Sequence, residues 1–103
     1  MNKELEQSLS AVLQNWQRMQ TETGEDSEEN ADRFESSFYE FIDVLRDWID
    51  GLEKRPTGLE DAAALPEIQQ IMSRLPGPLS LNFETELELI LERITREEEE
   101  KYD

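Results

Sequence analysis

Residues 34–52, FESSFYEFIDVLRDWIDGL, decide how the rest of the chain is read. Phe34, Phe38, Phe41, Ile42, Leu45, Trp48, Ile49 and Leu52 recur there at intervals of three and four. At about 100° per residue they gather within roughly a third of a helix circumference, as one continuous apolar face. Glu29, Asp32, Glu40, Asp43, Asp47 and Asp50 fall in a row on the opposite side. Asp26 or Ser27 can cap the start of this helix, and Glu29 sits three residues after Asp26, as in a capping box. Lys54 and Arg55 are expected where the C-terminal end of the helix dipole favours cations, and Pro56 is expected to stop the helix. Gly51, near that end, costs about 1 kcal/mol relative to Ala in a helix interior and weakens the last turn.

On the N-terminal side, residues 2–21 carry a second stripe: Leu5, Leu9, Val12, Leu13, Trp16 and Met19. Gly24 and its polar neighbours interrupt it, which predicts a solvated loop. On the C-terminal side, residues 56–78 read as irregular chain with two short helical pieces. One is a turn over 59–64. The other begins at Pro66, a residue suited to the first position of a helix, with Ile68, Ile71, Met72 and Leu75 as its apolar side. Pro76, Gly77 and Pro78 end it. Residues 81–91 are ambiguous. Leu81, Phe83, Thr85, Leu87, Leu89 and Leu91 alternate as a strand would, yet Phe83, Leu87, Ile90, Leu91 and Ile94 also fit a helix face. A helix is preferred, because no second strand is on offer to pair with a first, and because Glu-rich sequence suits helices. Ser80 or Asn82 would cap it, and the acidic tail over 97–103 would fray.

The expectation is therefore an all-α fold in a single domain over residues 1–103. It is a small bundle of three long amphipathic helices plus one or two short ones. The aromatic stripe, with Trp16, is read first as core. Thin helical chains often complete such a core by pairing, and a homodimer is one way to bury any remainder.

Composition removes several classes of function. The 103 residues contain 26 acids, 10 bases, no His and no Cys, for a net charge of −16. Ser-His and Cys-His mechanisms are excluded, and a zinc site of the usual kind lacks its ligands. The charge opposes direct binding to nucleic acid or to anionic membrane, both of which need a basic footprint. The first ten residues, MNKELEQSLS, contain no apolar run, so no signal peptide is expected. No stretch approaches the roughly 18 apolar residues of a membrane span. The expected setting is the cytoplasm.

The acidic row carries the functional reading. An ordinary surface helix interleaves Lys and Arg to relieve repulsion, whereas here few bases are interleaved and Arg46 lies toward the row's edge. A row that costs stability suggests a use, and carboxylates in a rigid line suit the docking of a basic protein surface. The expectation is a non-catalytic acidic module, an adaptor or inhibitor. In its most specific form it mimics nucleic acid and blocks a DNA- or RNA-binding protein. Glu29, Asp32, Glu40, Asp43, Asp47 and Asp50 would be its binding residues, with no catalytic residue, metal or cofactor. The alternative is a small structural subunit or chaperone that binds through apolar helix faces. A salt-adapted host would produce the same acidity without any partner.

Two resemblances bear on other readings. The pairs Glu25-x-x-Glu28 and Glu40-x-x-Asp43 resemble the signature of the all-helical MazG-like nucleotide pyrophosphohydrolases. That resemblance implies a Mg²⁺ site between helices and release of pyrophosphate from nucleotides. In that family the two pairs sit on separate helices that converge on the metal, whereas here Glu28 and Glu40 fall on one helix. The segment Trp48-Ile49-Asp50-Gly51 is similar to the W-x-G turn of small secreted helical-hairpin proteins. It has one residue more between Trp and Gly, and the Pro-rich stretch that follows replaces a short hairpin turn.

Overall fold

Apolar residues spaced at three and four need a helix to bring them to one side, and the computed structural model is all-α. It describes residues 2–21 and 27–101, with the side chains of 27, 95 and 97–101 left aside. Five helices and no strand occur among the described residues: α1 (Lys3–Thr21), α2 (Ser27–Asp50), α3 (Leu59–Ala63), α4 (Pro66–Arg74) and α5 (Gly77–Lys101). The chain divides into two compact units, residues 1–51 and 52–103.

The first unit is the pair α1 and α2. Asn2 is the cap of α1, its Oδ1 accepting hydrogen bonds from the backbone N–H of Glu4 at 2.8 Å and of Leu5 at 3.3 Å. Glu4 and Glu6 in the first turn and Arg18 in the last match the helix dipole. Leu5, Leu9 and Val12 are fully buried, while Leu13, Trp16 and Met19 are half-buried. On α2, Phe38, Phe41, Ile42, Leu45 and Ile49 are buried. Aromatic rings link the two helices: Trp16 lies 5.5 Å from Phe34, which stacks on Phe38 at 6.1 Å.

The end of α2 differs from expectation. The helix stops at Asp50, and the Gly51 N–H donates to the carbonyls of Asp47 and Trp48 at 3.1 and 3.2 Å. Lys54 and Arg55 therefore lie beyond the helix, and its last turn holds no basic residue. Glycine is costly to hold in a helix, so the chain leaves the helix there, before Pro56 can act. The W-x-x-G segment is the end of α2, and the helix paired with α2 is α1. The Asp26–Glu29 capping box involves Asp26, which lies outside the described residues.

The second unit contains α3, α4 and α5. Pro66 opens α4 as expected, and Ile68, Ile71 and Leu75 are buried. The start of α5 is four to six residues earlier than a Ser80 or Asn82 cap would put it. Leu79 and Ser80 N–H donate to the Pro76 carbonyl, both at 3.0 Å, so Ser80 and Asn82 are inside the helix. Pro78 favours this start, because the first turn does not need its missing N–H and its ring already holds a helical φ. The backbone is helical to Lys101. The tail expected to fray over 97–103 is therefore helical in its backbone over 97–101, because the helix of α5 continues past the last buried residue, while its side chains and residues 102–103 lie outside the described set.

Residues 81–91 are helical, and their alternation has a geometric cause. Positions 83, 87 and 91 climb one face of α5, and with Leu79, Ile90 and Ile94 they are buried. Positions 81, 85 and 89 climb the other face and are exposed. Two stripes, each with a four-residue step and offset by two residues, add up to a period of two. Residues two apart are about 200° apart on a helix but on the same face of a strand. The two structures therefore predict different costs for neighbouring truncations. Phe83→Ala should lower stability by about 3–5 kcal/mol, as for a buried aromatic. Leu81→Ala should change it by no more than about 0.5 kcal/mol. Urea denaturation measures both, and equal losses would contradict the helix.

Candidate acidic binding surface

All six carboxylates of the row, Glu29, Asp32, Glu40, Asp43, Asp47 and Asp50, project from α2 and are exposed. At 1.5 Å per residue the row is about 32 Å long. Steps of three and four connect it, with exposed Ser36 filling the gap between Asp32 and Glu40. The burial of Phe38, Phe41, Leu45 and Ile49 on the opposite side of α2 holds the row in place, since the helix cannot rotate without exposing them.

The row is partly neutralised. Arg33 Nη2 lies 2.7 Å from Glu29 Oε1, and Arg46 Nη2 lies 2.7 Å from Asp43 Oδ1. Both pairs follow helical spacing, and exposed pairs of this type are worth about 0.2–1 kcal/mol. Arg33 is legible in the sequence as a helical neighbour of Glu29, four residues on. Asp32, Glu40 and Asp47 have no ion-pair partner among the described residues. Asp47 and Asp50 also sit in the last turn of α2, where the negative end of the dipole opposes a carboxylate.

Two neighbours enlarge the surface. Tyr39 borders the row and is 50% exposed, with its ring edge-on to Phe38 at 5.7 Å. It offers an apolar ring and a hydroxyl to any partner that meets the carboxylates. Its signal in the sequence was a four-residue step to Asp43. On the α1 side, a shallow cleft between α1 and α2 is lined by Ala11 and Asn15 from α1 and by Glu29, Asp32, Arg33, Ser36, Ser37 and Glu40 from α2. Ser37 donates its hydroxyl to the Phe34 carbonyl at 2.8 Å and is thereby satisfied inside the helix.

The carboxylates of the MazG-like pattern are not brought together. Glu28 and Glu40 are both on α2, about 18 Å apart along its axis. Glu25 lies outside the described residues. No group of three or more carboxylates is placed to hold a metal ion among the described residues. No described helix is long and apolar enough to cross a membrane. No protein-family model, curated protein or solved structure matches the chain.

The placement of Asp47 against the dipole has a measurable consequence. Asp47→Asn should raise stability by about 0.3–1 kcal/mol at low ionic strength, and high salt should shrink the gain. Chemical denaturation at two salt concentrations measures it. A loss of stability would show that Asp47 makes a structural contact instead.

Proposed function

We propose that the protein is a non-catalytic binding module that docks a basic surface of another protein through the acidic face of α2. The observation that carries this reading is the exposed row itself, six carboxylates of which Asp32, Glu40 and Asp47 have no ion-pair partner among the described residues. The second support is energetic. Repulsion along the row and the dipole at Asp47 and Asp50 both oppose folding, and contact with Lys and Arg of a partner would relieve both. Ion pairing with the partner would steer association and weaken with salt.

Charge density ranks the forms of the hypothesis. Six carboxylates over about 32 Å give roughly one charge per 6 Å, about half the density of one DNA strand at one per 3.4 Å. The row alone therefore fits docking onto a basic patch better than replacement of a length of duplex. Nucleic-acid mimicry is the narrower form, and it needs further carboxylates to contribute. The reading takes a small helical bundle as the binding form. A homodimer through the aromatic stripe has less support, because Phe38 and Phe41 are already buried.

The test has two parts. An affinity pull-down from native lysate at low and high salt, with retained proteins identified by mass, should yield a partner with a basic surface that is lost at high salt. Asp43→Lys with Asp47→Lys should then weaken that complex by at least about tenfold while the circular dichroism spectrum is unchanged. Binding that survives both high salt and charge reversal would overturn the proposal. As a separate check on the enzyme reading, no Mg²⁺-dependent release of pyrophosphate from a nucleotide panel is expected. Activity lost on Glu40→Gln would contradict a non-catalytic role.

A further inference from the structure

Residues 52–58, at the start of the second unit, have no helix, and they hold Thr57. It is the only Ser or Thr outside a helix among the described residues. Hydroxyls within helices are spent on their own backbone: Ser37 donates to the Phe34 carbonyl, Ser73 to that of Gln70 and Thr85 to that of Leu81. Thr57 is exposed, and its Oγ1 donates instead to a side chain, Asp61 Oδ2, at 3.0 Å. Lys54 and Arg55, the only adjacent pair of cations in the sequence, stand three and two residues before it.

Backbone geometry decides which flank of Thr57 another protein can read. Glu53, Glu60 and Asp61 stand near the same two cations in the sequence, so net charge does not choose. Upstream, Arg55 precedes Pro56, whose ring disfavours a helical conformation at Arg55 and favours an extended one. Pro56 is buried, while Lys54 is exposed and Arg55 half-buried. Just after Thr57, Gly58 is extended at φ −156° and ψ 170°. Glu60 and Asp61, three and four residues on, are already wound into α3. An enzyme that takes extended chain and reads side chains at fixed offsets therefore meets Lys54 and Arg55 in readable form, and the acids in a helix.

We propose that Thr57 is a phosphorylation site for a protein kinase that reads Lys or Arg three and two residues before its acceptor. Thr57 Oγ1 attacks the γ-phosphorus of ATP. The new O–P bond forms as the bond to the β–γ bridging oxygen breaks, ADP leaves, and the hydroxyl proton passes to the base of the kinase. Lys54 and Arg55 pair with carboxylates of the kinase and set the register. The product changes its surroundings. A phosphothreonine carries about −1.5 to −2 charges and leaves Oγ1 without a proton, so the bond to Asp61 is lost and two anions face each other. Lys54 and Arg55 line the same cavity of about 250 Å³ as Thr57 and Asp61, and they offer the phosphate charge-assisted contacts in exchange. The inference stands apart from the α2 row, since it uses other residues in the other unit.

The test incubates the full chain with ATP and a purified serine/threonine kinase that requires basic residues at those two offsets. Mass spectrometry then maps the phosphorylated residues. Phosphate is expected on Thr57. It is not expected on Ser36, which is exposed and follows Arg33 by three residues but sits inside α2. Lys54→Gln with Arg55→Gln should slow phosphorylation of Thr57 by at least about tenfold, and Lys54→Gln alone by at least about threefold, with the circular dichroism spectrum unchanged. Glu60→Gln with Asp61→Asn should not slow it. Thr57→Ser should keep the site, and Thr57→Val should remove it. The proposal is overturned if Thr57 stays unmodified in the folded chain, if Ser36 reacts as fast, or if the cation variants react at the wild-type rate. Phosphorylation of Thr57 only by a kinase that reads downstream acids, lost in Glu60→Gln with Asp61→Asn, would equally overturn it.

Discussion

Twenty-six carboxylates and ten cations share 103 residues, so each apolar side chain that is buried must be buried without taking a carboxylate with it. A helix meets this constraint by angle. On α2, Phe41, Leu45 and Ile49 go inward while Glu40, Asp43 and Asp47, each within two residues of one of them, stay in water. Helix α4 does the same with Ile68 and Ile71 against Gln69, Gln70 and Arg74. The exposed carboxylates then cost little desolvation, and what remains is their mutual repulsion, which salt and nearby arginines reduce. Fold and candidate site are two sides of one requirement: the face that must avoid the core is the face available to a partner.

Segregation is closer to complete on α2, where half-exposed Tyr39 breaks it, than on α5. Leu81 and Leu89 stand on the solvent side of α5 although the buried side already has Phe83, Leu87, Ile90, Leu91 and Ile94. Single exposed leucines are ordinary on protein surfaces. Two on one line form a different kind of surface from the α2 row. One is electrostatic and long, the other apolar and short. Their responses to salt separate them, since screening weakens the first far more than the second.

Much of the fold was legible because helical periodicity is local. The stripes of α1, α2 and α4, Pro66 at the start of α4 and the helical preference for 81–91 all follow from spacing and propensity. The ends were less legible. Cations near Pro56 looked like a helix terminus, yet Gly51 ended α2 first. Ser80 and Asn82 looked like caps, yet Pro76 and Pro78 began α5 earlier. In each case several residues could perform the same local task. The choice between them turns on energy differences near 1 kcal/mol, about the size of a single cap. The acidic row was also visible as a pattern, but the arginine pairings at Glu29 and Asp43 needed rotamers that spacing does not specify.

By itself, the sequence favoured an all-α fold, with residues 81–91 open to either helix or strand, and determined that the α2 segment sets most of its aromatics opposite the carboxylate row. It also removed His- and Cys-dependent chemistry. These follow from residue type and from a 3.6-residue period, neither of which depends on what packs where. The face of α5 with Phe83, Leu87, Ile90, Leu91 and Ile94 was also legible from spacing. Only the tertiary structure decided that Leu81 and Leu89 are left out of the core. Packing removes water from Phe83 and Leu87 and leaves Leu81 and Leu89 in it, because burial is a property of neighbours distant in the chain.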